Sequence, residues 1–431
     1  MEKEALGLPQ NEIHMLDFPL HILSDIMLKL PPYSIIRCAC VCTTFRNIVT
    51  DPSFKHLYFS RAPTTCVLLS DHHRLSTLHS SPPQTSPSSA SSCLARIHSS
   101  ASSLSGIDPI LPHPKNPTPD TSRFISFQGH MKLVNSSHGL LCMRSQYPLY
   151  IVCNPLFGEI LSLPPPPTTS NQFVRFSAFG FDPLTNRYKL IQIVPRHDQV
   201  VAELYQLGDD TWRTIENVPS PRPDSAFDPS LNGALHWVTD ATRVSELICS
   251  FDLHTEKFKS VPPPSHFNAE YANHVFGTCV GVFKGRLCLC YVSEGARFET
   301  WLMEEYGVEA SWTRGFAIDI QSYCGLRLHD KHRPIGFSSC GDMWLKADSD
   351  SDPHSECLVS YTADKGVFRH IDIGGIASNN VEAVPHVFSL VSLRNLVDVN
   401  NPHLTFQIIR PKKRPCYAPL DLTIGINHYY V

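Results

Sequence analysis

The chain has 431 residues, 42% of them apolar and 18% charged, with a formal net charge of −4. That length has room for two or three domains and the apolar content for a substantial core, while the slightly acidic balance gives no electrostatic case for nucleic acid or a membrane surface. No apolar run approaches the ~18 residues of a membrane-spanning helix, and the opening MEKEALGLPQNEIH lacks the apolar stretch of a secretory signal, so the expected location is cytoplasm, nucleus or both.

Residues 1–12 read as a tail. Residues 13–61 read as a small helical module, too short to bury its apolar surface without a partner. Ile22, Leu23, Ile26 and Leu30 recur at helical spacing. Pro31 and Pro32 stop that helix, because proline lacks an N–H and clashes with the preceding turn. Ser34 is the expected cap of a second helix carrying Ile35, Ile36 and Cys38. Phe45, Ile48 and Val49 form a third stripe, ended by Asp51-Pro52, and Phe54, Leu57 and Tyr58 suggest a further turn or two of helix.

This segment resembles an F-box, the motif that joins substrate receptors to the Skp-family adaptor of SCF ubiquitin ligases. Phe18-Pro19 stands for the family's Leu-Pro start, Ile26 to Pro31 for its Ile-Leu…Leu-Pro run, and Val41-Cys42-Thr43-Thr44-Phe45-Arg46 for its Val-Cys-Lys-x-Trp-Arg. Phe45 replaces the usual Trp and keeps a large aromatic anchor; Thr43 replaces the usual Lys. The resemblance implies adaptor contact through Pro19, Ile22, Leu23, Ile26, Leu30, Ile35, Val41 and Phe45, some of which must instead pack the helices on one another. Beyond the adaptor it implies a Cullin and RING scaffold.

The 15 cysteines are odd in number and include no CxxC pair. Cys38, Cys40 and Cys42, and Cys288 and Cys290 in RLCLCYV, are expected to be small buried hydrophobes in a reducing compartment. No ligand pairs recur at zinc spacing, so no metal, cofactor or catalytic residue is expected. Residues 79–121 are dominated by Ser and Pro, a composition that cannot offset chain ordering by burial, and read as a disordered insertion or linker.

From Phe124 the texture is β, in a domain placed at 122–393. Five units recur at intervals of roughly 40–50 residues, as in propeller blades: SSHGLLCM with YIVCNPLFGEILSL, FSAFGFDPLTNRYKLIQIV with AELYQLGDDTWRTIENVP, LNGALHWV with ICSFDLHTEKFKSV, VGVFKGRLCLCYV with FETWLMEEYGVEASWTRGFAI, and PIGFSSCGDMWLKA with CLVSYTADKGVFRHIDI. The turns repeat in chemistry at Asn154–Gly158, Asp182–Asn186, Asp252–Glu256 and Thr362–Gly366, where Asx side chains can bond their own backbone. Five units are visible, which leaves the blade number open, since strands from both ends could combine into a sixth. Trp212, Trp237, Trp312 and Trp344 fall at comparable places and are expected to fill the wedges between blades rather than form a ligand cage.

The region resembles the F-box-associated β domain of plant F-box proteins, kelch-like in its repeats. HGLLC at 138–142, CNPLFGE at 153–159, FDPLTNRYK at 181–189, NGALHW at 232–237, SFDLHTEKF at 250–258 and EEYGVEASWT at 304–313 carry the resemblance, and FSLVSL, ending at Leu393, looks like the closing strand. Residues 394–431, with the basic RPKKRP, read as a divergent extension. No GxSxG, HExxH, GxxxxGK[ST] or GxGxxG occurs. The expected fold class is α+β and multidomain: an F-box followed by a mainly-β, propeller-like domain. The expected function is that of a non-catalytic substrate receptor in which the β domain holds a target protein. The alternatives are an F-box scaffold that drives no ubiquitin transfer and an orphan propeller enzyme. Target contact is expected from loops 195–200, 220–229, 265–274 and 322–333.

Overall fold

The computed structural model describes residues 15–62, the strands 65–69, 74–78 and 124–126, most of 131–408, and the strand 421–423; the gaps between 131 and 408 are 146–148, 169–173, 197–198, 223–225, 241–242, 268–274, 321–330, 338–342, 349–356, 363–364, 371–381 and 399–400. The Ser/Pro-rich 79–121 and the basic 410–415 lie outside the described residues. The chain forms two compact units, Met1–Ala62 and Pro63–Val431.

The first unit holds a 3-10 turn at Met15–Asp17 and four helices: α1 (Leu20–Leu28), α2 (Pro32–Ala39), α3 (Thr43–Thr50) and α4 (Pro52–Arg61). Prolines 32 and 52 sit at the first helical positions of α2 and α4, where the missing N–H costs nothing and the fixed φ suits the helix. Asp51 ends α3 and caps α4, its Oδ1 accepting from the Phe54 amide at 3.0 Å. Ser34 does not cap α2: Pro31 is the N-cap residue, so Ser34 falls inside the first turn. Leu30 lies beyond α1 and is half-buried. The interior is Leu23, Met27, Tyr33, Ile35, Phe45, Ile48, Val49, Phe54 and Tyr58.

In the second unit the described strands form six sheets. The five repeat units of the sequence are five of them, each built from four antiparallel strands in chain order: blade one at 131–137, 140–145, 150–154 and 159–162; blade two at 176–182, 187–196, 199–206 and 213–215; blade three at 230–231, 234–238, 248–252 and 257–261; blade four at 275–283, 286–293, 297–303 and 312–319; blade five at 331–337, 343–348, 357–362 and 367–370. The sixth blade combines the two ends of the domain: 382–386 is its inner strand, pairing antiparallel with 65–69, followed outward by 74–78, 124–126 and 421–423. The inner strands contact in succession from blade one to blade six and back to blade one, so the ring is closed.

The propeller therefore exceeds the sequence-expected 122–393 at both ends. Strands 65–69 and 74–78 belong to it, and 405–408 adds a fifth strand to the outer edge of blade one, paired with 159–162. Pairing across such distances leaves no local periodicity. FSLVSL is also not the closing strand; that role falls to Glu382–His386, and 388–393 is irregular chain fixed by side chains of blade one.

Turn chemistry sets the registers. His138-Gly139, Asn232-Gly233 and Lys284-Gly285 are two-residue hairpin loops with positive φ at both positions, the geometry that matches strand twist. In the four-residue turns the Oδ1 of Asn154 accepts from the Leu156 amide at 2.9 Å, that of Asp182 from Leu184 at 2.9 Å, and that of Asp252 from His254 and Thr255 at 3.0 and 2.7 Å. Four residues after each Asx, and likewise after Thr362, the backbone turns left-handed, at Gly158, Asn186, Glu256 and Gly366. The core lies in the wedges between neighbouring blades, where Trp212, Trp237 and Trp312 are buried; Trp344 is buried as well. The first three donate indole N–H bonds to the carbonyls of Pro164, Pro219 and Pro262 at 2.9, 3.2 and 2.9 Å.

Candidate protein-docking surfaces

Helix α1 is apolar on two faces. Leu23 and Met27 point into the helical unit and are buried, while Ile22 and Ile26, one turn apart, are 37% exposed each. Phe18, Leu20 and Met15 before and at the start of the helix are also exposed, as are Val41 at 73% and Leu57. Among the described residues, twelve large apolar side chains are exposed, and these seven belong to the small helical unit. Such a concentration marks an interaction surface.

The residues assigned to adaptor contact thus separate into two groups. Pro19, Ile22, Ile26 and Val41 are exposed; Leu23, Ile35 and Phe45 are buried; Leu30 lies between. Phe18 and Leu20, absent from that set, are exposed beside Pro19. Cys38 and Cys42 are half-buried and Cys40 is exposed, contrary to the expected burial, because Cys40 and Cys42 fall in the link between α2 and α3 rather than on a buried helix face. Cys288 and Cys290 are fully buried as expected, their sulfurs 3.4 Å apart.

The propeller has two ends. Turns joining first to second and third to fourth strands lie at one, here the hairpin end; loops joining second to third strands, and the connections between blades, lie at the other. The described residues of the loops 195–200, 220–229, 265–274 and 322–333 fall at this crossover end, while 197–198, 223–225, 268–274 and 322–330 lie outside the described residues. The hairpin end is partly covered by the chain itself. The Asn154 carboxamide donates to the carbonyls of Ser389 and Val391 at 3.1 and 2.6 Å, and Glu159 accepts from the Ser392 hydroxyl and the Leu393 amide, both at 2.6 Å. Residues 388–398 so form a strap over blades one and two. A cavity of about 480 Å³ remains between residues 395–398 and the blade-two residues 185–188 and 207–208.

Polar side chains within the propeller join blade to blade. The Asn135 carboxamide donates to the Phe179 carbonyl and accepts from its amide, both at 2.8 Å, bridging the inner strands of blades one and two. Tyr150 bonds Gln192 at 2.8 Å, and Gln192 bonds Glu203 at 2.6 Å. Lys189 reaches the Leu253 carbonyl at 2.5 Å and Glu256 at 2.8 Å, and Arg213 pairs with Glu256 through both carboxylate oxygens. Burial alone would raise the Glu256 carboxyl; its bonds to Arg213 and Lys189 outweigh this and hold it below the usual range. These groups are fully engaged in structure. Among the described residues no three His, Cys, Asp or Glu side chains are grouped to hold a metal ion.

Residues 15–57 match the F-box domain family, and residues 69–397 match the family described as F-box associated beta propeller domain. This chain belongs to the F-box-associated β-propeller family. An F-box/kelch-repeat protein of Arabidopsis thaliana is 25% identical over 321 residues, covering 70% of this chain and 79% of that protein. F-box protein CPR1 of the same plant is 25% identical over 353 residues, covering 75% and 78%, and F-box protein DOR is 26% identical over 388 residues, covering 84% and 89%. The architecture of an F-box followed by an F-box-associated propeller extends along most of the chain.

Proposed function

We propose that this protein is the substrate-recognition subunit of an SCF-type ubiquitin ligase: the F-box unit docks on a Skp-family adaptor and, through it, a Cullin and RING scaffold, while the propeller holds a target protein. The observation that carries the reading is the exposed apolar stripe of α1 with Phe18, Leu20 and Val41, in a unit that belongs to the F-box family. The protein then supplies no reacting group. It raises the effective concentration of target lysines near a ubiquitin-conjugating enzyme, so that rate comes from positioning. Nine cysteines are free thiols among the residues whose side chains are described, which fits a cytoplasmic or nuclear setting.

Co-purification of the full chain with a Skp-family adaptor tests the docking. Wild type should be recovered in a stable complex, and Ile26→Asp should weaken capture by well over tenfold. A carboxylate buried without a partner costs several kcal/mol, and about 1.4 kcal/mol is tenfold in affinity. Capture of Ile26→Asp at the wild-type level would overturn the assignment. Ubiquitin transfer to a bound target, reconstituted with the scaffold, separates a receptor from a scaffold that only binds.

A further inference from the structure

We propose that the hairpin end of the propeller, around the 304–311 turn of blade four, docks an extended basic segment of a target protein that carries apolar side chains. The inference rests on the substrate-receptor reading only in naming the occupant a target. Outside the F-box unit, five large apolar side chains are exposed among the described residues, and four of them, Leu184, Tyr306, Val308 and Val367, lie on or beside hairpin-end turns of blades two, four and five. The described loops of the crossover end expose none of theirs.

The blade-four turn is built rather than loose. Residues 304–310 are all exposed, yet the Ser311 hydroxyl bonds the carbonyls of Glu305 and Val308 at 2.8 and 2.7 Å and accepts from the Glu305 amide at 3.1 Å. The Val308 amide donates to the Glu305 carbonyl at 3.1 Å, and the Glu304 amide to the Ser311 carbonyl at 3.1 Å. Tyr306 is tied to blade three through its hydroxyl, 2.7 Å from His236 Nε2. His236 Nδ1 lies 3.1 Å from the Pro229 carbonyl, which only an N–H can satisfy, so Nε2 is the acceptor and Tyr306 the donor. The ring and the Val308 side chain are thereby presented with little entropy left to lose on binding.

Charge selects the occupant. Glu304 is paired with Arg286 at 2.9 Å, which leaves Glu305 and Glu309 as the carboxylates beside Tyr306 and Val308. Lysines or arginines flanking an apolar anchor complement that arrangement, and acidic flanks oppose it. The same end already holds an extended segment, since the strap 388–398 runs across blades one and two through backbone groups bonded to Asn154 and Glu159. Blades three to five continue that surface.

The test uses the full chain in complex with its adaptor and two short fluorescent peptides, one with leucines flanked by lysines and one with glutamates in place of the lysines. Wild type should prefer the lysine peptide by about tenfold. Glu305→Lys with Glu309→Lys should reverse that preference, and Val308→Asp should weaken the lysine peptide's leucine contact without unfolding the exposed turn. No preference in wild type overturns the proposal. So does a preference unmoved by the double charge reversal. Adaptor capture measured on the same preparations reports on the receptor reading separately, because it depends on the F-box unit.

Discussion

Gly139 and Gly285 occupy the same place in two hairpins, at φ of 82° and 72°, and differ in what surrounds them. A Cβ on Gly139 would stand 1.9 Å from Ser389 Cβ and within 3 Å of the Ser389 backbone, whereas one on Gly285 would meet nothing within 4 Å. Gly285→Ala should therefore cost about 1–2 kcal/mol from the left-handed backbone alone. Gly139→Ala should cost more and detach the strap as well; equal melting points for the two variants would contradict this. Buried ionisable groups give a second prediction at this scale. Burial lowers the His236 imidazole to about 4 and that of His386 to about 3, and raises the Asp228 carboxyl to about 7. Between pH 4 and 6.5 each histidine binds its proton in the unfolded chain and not in the fold, so it removes stability as the pH falls. Asp228, protonated in the fold and ionised in the unfolded chain, works in the opposite sense. With two histidines against one aspartate, these groups together should lower stability by about 1.4 kcal/mol per pH unit on acidification from 6 to 5. Urea unfolding at those pH values should show Asp228→Asn steepening the loss and His386→Gln flattening it; unchanged slopes in both would refute the assignment.

Helix α1 shows how far an element can be read before its neighbours are known. Its spacing marks Ile22, Leu23, Ile26 and Leu30 as one apolar set, and the helix forms over the first three of them and ends at Leu28, before Leu30. Periodicity cannot say that Leu23 and Met27 are buried while Ile22 and Ile26 are exposed, because both faces of the helix are apolar. The two residues should therefore respond differently to the same change. Ile26→Asp places its carboxylate in water, so if α1 docks an adaptor as proposed, the F-box unit should keep its helical circular dichroism while losing capture. Leu23→Asp buries a carboxylate with no partner and should lose both. If Leu23→Asp keeps its helicity and melting behaviour, the assigned core is wrong. Turns were the more legible elements, since an Asx side chain and the amide it holds are two or three residues apart. Trp212, Trp237 and Trp312 were legible as wedge fillers from their spacing, but their prolyl carbonyl acceptors lie 48, 18 and 50 residues away and left no local signal.

At the scale of the whole molecule the ring depends on chain segments more than 300 residues apart. The sixth blade takes its inner strand from 382–386 and the next two strands from 65–69 and 74–78. Loss of either contribution exposes an unpaired inner edge and opens the contact with blade one, where Glu382 accepts from the Leu133 amide and His386 Nδ1 lies 2.8 Å from the Ser136 hydroxyl. Outside this closure, 405–408 is a second clasp that covers only the outer edge of blade one. The segment that reads as a divergent extension from composition therefore has a graded role. Truncation after residue 398 should leave a closed ring that unfolds cooperatively at a lower temperature, since it removes edge strands and keeps the strap bonded to Asn154 and Glu159. Truncation after residue 381 should abolish the cooperative transition and yield an expanded or aggregating product, because an exposed inner strand is a template for pairing with other chains. Size-exclusion chromatography and thermal unfolding of the two truncations decide the matter: if the shorter chain still melts as one cooperative unit, the ring is not held shut by its sixth blade.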